Sequence, residues 1–281
     1  MKEISSKKIT DAVSKLAKDA CARLPEDVSS AMNKALKNEE SPAGRQVLRD
    51  LIENAEIARK ENMPICQDTG YAIVFVELGQ DVAITGENLN AAINEGVSKA
   101  YVEGYLRKSI VDDPFNRKNT GDNTPADIIA EIVPGDKIRL TFMAKGAGSE
   151  NASAFKMFKP SDPFSDIEKF VVDRIIEVGP NPCPPIIVGL GIGGTADKAM
   201  LLAKKALLRE VGHHHSQTDI AKKEKELLDL INKTGIGPSG LGGRTTAIAV
   251  NIETYPCHIA SLPVALAVDC HAHRVGRITL E

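Results

Sequence analysis

The chain has 281 residues, a net charge of -3, 42% hydrophobic residues and 4% aromatic ones, with no tryptophan. That length can bury a sizeable core as one large domain or two small ones. The lack of basic excess argues against nucleic acid or an anionic membrane as partner, and the scarcity of aromatic rings leaves no stacking platform for bases. No apolar run is long enough to span a bilayer, and the start, Met1 to Ser6, does not lead into a signal-peptide core, so a cytoplasmic protein is expected. Five cysteines, an odd number, suit a reducing compartment in which thiols are free, catalytic or metal-bound.

In chain order, the first sixty or so residues read as helical. Ile9, Val13, Leu16, Ala17, Ala20 and Cys21 recur at helical spacing over Lys7 to Leu24, and Pro25 stops the run. Cys21 therefore reads as a small core residue. Ser41-Pro42, an N-cap serine before a proline at the first helical position, opens a further helix that ends near Asn62. Met63 to Gly70 then places Cys66, Gln67, Asp68 and Thr69 side by side in a loop before a β-rich run, Tyr71 to Leu78. A turn capped by Asp68 explains the same residues without chemistry.

Leu89 to Leu106 predicts a helix ending in Tyr105-Leu106-Arg107-Lys108, and the polar stretch Asp112 to Pro125 is a surface excursion or a lid. Strands are expected near Ile128 to Val133 and Lys137 to Ala144, joined by the turn Pro134-Gly135-Asp136. The second strand delivers Lys145 to Asn151, a glycine loop whose backbone donors could face an anion. Ser165 to Val178 reads as a helix, as does Asp219 to Thr234. Between them lies Pro180 to Lys198, where Cys183 stands among prolines ahead of an apolar run, four glycines and a helical pattern over Ala196 to Leu208.

Gly189, Gly191 and Gly194 fit a dinucleotide fingerprint, but no second strand ending in an acidic residue follows, which weakens a nicotinamide reading. What remains is a strand, a tight turn and a helix N-terminus able to favour an anion. The adjacent His213, His214 and His215 cannot all face one ion without a contorted backbone and read as a solvated loop. A third glycine cluster, Thr234 to Arg244, precedes a strand over Thr246 to Ile252, and a run from Ile259 to Val268 ends at Asp269-Cys270-His271. Interleaved strands and helices give an α+β or mixed α/β fold with glycine loops at element ends, where several could converge.

Cys66, Cys183 and either Cys257 or Cys270 lie beside such loops, too far apart for a zinc ribbon or a compact ferredoxin pattern. Three scattered thiolates suit a 4Fe-4S cluster with one iron left open, a Lewis acid for a hydroxyl and a carboxylate. A closed electron-transfer cluster would need a fourth thiol, which Cys257 could supply.

The strings ICQDTG, KGAGSENAS, CPPIIVGLGIGGT, TGIGPSGLGG and CHIASLPVALAVDCHAHR are very similar to the α subunit of two-subunit class I fumarate hydratases and L-tartrate dehydratases, from about Lys7 to Arg274. The resemblance implies cluster ligands at Cys66, Cys183 and Cys270, leaving Cys21 and Cys257 unligated, with Cys257 expected to pack. It also implies a substrate site of Gln67, Asp68, Arg107, Gly146, Ala147 and His258, with Asp68 and His258 catalytic. Arg107 could clamp a carboxylate with its planar fork, against a plainer reading as a helix-end arginine facing the dipole. The amides of Gly146 and Ala147 could hold carboxylate oxygens, and His258 could carry a proton near neutral pH.

The organisation expected is a helical region over residues 1–62 and an iron-sulfur hydro-lyase α domain over 63–281. Fumarate and (S)-malate are the expected substrate pair, and L-tartrate the nearest alternative. Only residues 275–281 follow Arg274, so the rest of the pocket and the base are expected on a β subunit in an α2β2 assembly.

Overall fold

The computed structural model describes residues 1–281. In chain order its elements begin β1 (Lys2–Ser5), α1 (Ser6–Ala22), α2 (Glu26–Asn38), α3 (Pro42–Glu61), β2 (Tyr71–Gly79), β3 (Val82–Thr85) and α4 (Leu89–Glu103). Next come β4 (Asp127–Val133), β5 (Ile138–Lys145), the one-turn α5 (Ala147–Glu150), β6 (Ala154–Phe158), α6 (Phe164–Val178) and β7 (Ile186–Gly193). The chain closes with α7 (Ala196–Ala206), α8 (Thr218–Asn232), β8 (Ala247–Tyr255), β9 (Leu262–Asp269) and β10 (Val275–Leu280). Helices packed on mixed sheets make this the expected α+β class. No helix is long and apolar enough to cross a membrane.

Two compact units divide the chain. The first comprises Met1–Pro25, Ala55–Ala147 and Ala272–Glu281, and the second Glu26–Asn54 and Gly148–His271.

In the first unit the sheet order is β10-β5-β2-β4, with β2 parallel to β4 and antiparallel to β5, and β10 antiparallel to β5. A separate parallel pair joins β1 to β3. Ser5 caps α1 by accepting the Lys8 amide at 3.3 Å, and Asn88 caps α4 by accepting that of Ala91 at 2.9 Å. Ile9, Val13, Leu16 and Ala17 of α1 pack with Ile93, Val97 and Tyr101 of α4 and with Val74, Val76, Leu140 and Phe142 of the sheet. Gly96 lets the helices close, since a Cβ there would lie 2.7 Å from the Thr10 carbonyl oxygen. The Pro134-Gly135-Asp136 turn joins strands that are not neighbours. The end of β2 enters between them, with the Gly79 amide donating to Lys137 and that of Gln80 to Val133.

In the second unit the order is β6-β9-β7-β8, with β7 parallel to β8 and antiparallel to β9. Val171, Ile175, Leu227 and Ile231 from α6 and α8 cover Val188, Leu190, Val250, Ile252, Leu266 and Val268 of that sheet. Here the strand runs further than the sequence suggested: Gly189 and Gly191 lie inside β7, and the turn is made by Gly193 and Gly194, at φ +97° and +71°. The two strand glycines admit α7. A Cβ on Gly189 would sit 2.2 Å from the Ala203 carbonyl oxygen, and one on Gly191 2.0 Å from that of Ala199. Their service is thus close helix-to-strand packing, which accounts for the fingerprint without a dinucleotide.

His213 and His214 stand on an exposed loop as expected, with His213 Nδ1 3.3 Å from a Glu210 carboxylate oxygen. Edge β8 is closed by Glu224, only 1% exposed, which accepts the Ile252 amide at 2.8 Å and pairs with Arg209.

Because backbone meets backbone at Gly191, Gly191→Ala should cost about 3 kcal/mol or more and lower the thermal midpoint accordingly. Gly212→Ala, with nothing within 4 Å of a new Cβ, should cost only left-handed strain of about 1 kcal/mol. Equal melting temperatures for the two variants would contradict this role for Gly191.

Candidate functional site

In the first unit the loop ahead of β2 is fixed through its carbonyls. The Arg274 guanidinium donates to the Asp68 carbonyl, the Tyr101 hydroxyl to that of Thr69 at 2.6 Å, and the Asn123 amide to that of Gly70 at 3.1 Å. Gly70 takes φ +76°, and a Cβ there would lie 2.7 Å from the Ala144 carbonyl carbon, so only glycine passes. Burial holds the Tyr101 phenol well above its ordinary pKa, which keeps it a donor.

Upon this base Cys66 and Asp68 are half-buried and Gln67 is exposed. Asp68 Oδ1 accepts the Gly70 amide at 3.0 Å, the local turn expected of it, while Oδ2 accepts the Ala147 amide at 2.9 Å. The Ala147 N–H assigned to a substrate carboxylate is thus engaged by Asp68, whose two oxygens are both held. Gly146 is buried and Ala147 exposed.

Helix α4 ends at Glu103, with Gly104 as its cap and Tyr105 at φ 53°, so Arg107 lies in the following loop and not at a helix end. That removes the dipole explanation for Arg107. Its side chain is exposed, and its carbonyl accepts the Thr69 hydroxyl at 3.0 Å. One unit therefore brings Cys66, Gln67, Asp68, Arg107, Gly146 and Ala147 to a common loop cluster.

Cys21 lies beneath this loop, 1% exposed, its Sγ 4.0 Å from the Thr69 carbonyl. Burial pushes the thiol up to about 11, which keeps it protonated and inert, in keeping with a core role.

In the second unit Cys183 is exposed at φ 55°, its amide donating to the Pro180 carbonyl at 2.9 Å. Its carbonyl accepts the His271 amide at 3.4 Å and lies 3.0 Å from His271 Nδ1. Those bonds bring the segment of Cys183 beside that of half-buried Cys270, although the two stand far apart in sequence. The third glycine cluster braces the same place: the Ser239 amide donates to the Pro184 carbonyl at 2.8 Å, and Gly240 packs on Pro180.

That cluster is secured in turn by Glu39, 2% exposed, whose carboxylate accepts the amides of Glu40, Ser41, Arg244 and Thr245 at 2.9–3.1 Å. Burial works to raise the Glu39 carboxyl, but these four donors outweigh it and hold the group below its ordinary value. Nothing in the sequence marked Glu39.

His258 is exposed on the loop after β8, and its Nδ1 accepts the Ala260 amide at 3.1 Å. With Nδ1 occupied as an acceptor, Nε2 is the ring nitrogen that carries the proton and can donate. Cys257 does not pack as expected. It is exposed, with Sγ 3.3 Å from the Ser261 carbonyl, because the strand ends before it. No group of three or more His, Cys, Asp or Glu side chains is gathered as for a single metal ion.

The model of the family described as fumarate hydratase (fumerase) matches residues 10–279. A Methanocaldococcus jannaschii protein carrying the provisional name L(+)-tartrate dehydratase subunit alpha is 46% identical, over 98% of this chain and 99% of its own. L(+)-tartrate dehydratase subunits alpha of Escherichia coli (strain UTI89) and Shigella sonnei are 32% and 31% identical, each over 100% of this chain and 93% of theirs.

The chain belongs to the fumarate hydratase family. The resemblance carried by the five strings is thereby shown across nearly the whole length. In this fumarate hydratase family chain the CQDTG loop is held by remote side chains, CPPI by His271 and the Ser239 amide, and the two amides that follow TGIGPSGLGG by Glu39, while GLGIGG is largely strand.

Glu39 has a depressed pKa when folded, so its contribution is complete above the unfolded carboxyl value and is lost as pH falls through the folded one. Glu39→Gln should cost on the order of 2 kcal/mol at pH 7. The stability gap from wild type should narrow in acid, below about pH 4.5. A gap independent of pH, measured by denaturant unfolding across that range, would contradict the carboxylate's role.

Proposed function

We propose that the chain is the α subunit of an iron-sulfur hydro-lyase acting on a four-carbon hydroxy-dicarboxylate. The observation that carries this furthest is the backbone pairing of Cys183 with His271, which supports Cys183 and Cys270 as joint ligands, with Cys66 from the pinned loop as the third. The donor chemistry fits a 4Fe-4S cluster: three thiols on loops, none enclosed as Cys21 is. When bound, such a cluster supplies an open iron acting as a Lewis acid toward the substrate hydroxyl.

The reaction breaks a C–O bond at one carbon and a C–H bond at its neighbour, and hydroxide and proton leave as water. Arg107 pairs with a substrate carboxylate through its planar fork. Asp68, held at both oxygens, is a fixed acceptor beside Cys66, and His258 offers Nε2–H as donor. The base that takes the carbon-bound proton is assigned to a β subunit, consistent with the relatives' names as subunits alpha. An α2β2 assembly in a reducing cytoplasm completes the reading.

Fumarate and (S)-malate are one substrate pair. L(+)-tartrate is the second, favoured by the relatives' names. Parallel turnover assays with the α/β complex decide between them by the larger kcat/KM, and α alone should show little or no turnover. Iron and inorganic sulfide measured in anaerobic protein should fall sharply in Cys270→Ser and stay at the wild-type level in Cys257→Ser. The reverse pattern would support a different ligand set and sink this assignment.

A further inference from the structure

Two parts of the proposed site in the first unit must keep a set distance: the exposed Arg107, and the loop holding Cys66 and Asp68. Past Gly104 no helical ladder positions the Arg107 backbone. Its segment is tied instead at four points. The Leu106 amide donates to the Tyr101 carbonyl at 3.1 Å, the Arg107 carbonyl accepts from Thr69 Oγ1 at 3.0 Å, the Lys108 carbonyl accepts from Asn119 Nδ2 at 2.9 Å, and the Ser109 amide donates to Asn123 Oδ1 at 2.7 Å.

Two of those ties lead back to the other loop. Thr69 belongs to it, and Asn123 also donates to the Gly70 carbonyl at 3.1 Å. Thr69 is itself immobilised, 1% exposed, with its carbonyl accepting from Tyr101 at 2.6 Å. Its hydroxyl is thus the direct link between the residue that would grip a carboxylate and the residues that would face the reacting carbons.

We propose that Thr69 is a positioning residue, its hydroxyl setting Arg107 at the spacing a four-carbon dicarboxylate requires. This rests on the reading of Arg107 as a carboxylate clamp. A displacement of an ångström in such a clamp is enough to weaken productive binding severely.

Thr69→Val keeps the shape and removes the donor, and Thr69→Ser keeps the donor. In the α/β complex Thr69→Val should raise KM for the preferred hydroxy-dicarboxylate by about tenfold while kcat changes far less, and Thr69→Ser should stay within about twofold of wild type. Iron and sulfide content should be unchanged in both. In an Arg107→Lys background, which removes the planar fork, the added effect of Thr69→Val should vanish, because Thr69 acts only by placing that fork. An unchanged KM, or independent multiplication of the two effects, overturns the proposal.

Hydrogen exchange on the α chain gives a readout free of turnover. Thr69→Val should speed exchange at residues 106–109 and leave β7 unaffected, whereas unaltered exchange at 106–109 overturns the link. If the wild-type complex processes neither malate nor tartrate, the hydro-lyase reading fails by itself, and the exchange result alone decides whether Thr69 holds Arg107.

Discussion

A buried backbone carbonyl or amide left without a partner costs about as much as a lost hydrogen bond, and loops that present reactive side chains cannot use a helix or sheet ladder to avoid that cost. The Asp68, Thr69 and Gly70 carbonyls are met by Arg274, Tyr101 and Asn123. In the second unit, the amides of Arg244 and Thr245 are met by the Glu39 carboxylate. Each loop is thereby held in one shape by a side chain from a remote stretch. Gln67, Arg107 and Cys183 stand exposed on these loops. Rigid loops of this kind lower the cost of ordering a site at the moment of binding.

Glycine has two different uses in the same framework. Gly70 takes a left-handed turn against the Ala144 backbone, whereas Gly189 and Gly191 are extended strand residues on which α7 rests. Only the first kind shapes a loop around chemistry. Treating all the glycine clusters as anion cradles overstates how many face a ligand, and the engagement of the Ala147 amide by Asp68 makes the same point for a backbone donor.

What was legible in the sequence was local. The apolar stripe from Ile9 to Cys21, the Ser41-Pro42 start and the β-branched run after Gly70 each specify an element through neighbouring residues, and α1, α3 and β2 appear there. Strands β1, β3, β6 and β10 were not foreseen, because short strands depend on partners far away, such as Met143 opposite Val275. The end of α4 was misplaced because Tyr105 to Lys108 continue a helical composition past the stop at Gly104. Of the site, the cysteine loops were visible as strings of unusual residues. Glu39, Tyr101, Asn123 and Arg274 were not, since a supporting side chain is defined by the distant carbonyl or amide it meets and carries no local signature.

The central claim is that three thiols, held by loops stabilised in this way, serve one iron-sulfur cluster. Its most direct test is residue-by-residue thiol alkylation, read by mass spectrometry before and after anaerobic loading with iron and sulfide. The account predicts that Cys66, Cys183 and Cys270 react before loading and become protected together, with Cys257 reactive throughout and Cys21 inert throughout. Protection of Cys257 in place of Cys270, or loading that leaves the three thiols as reactive as before, would contradict it.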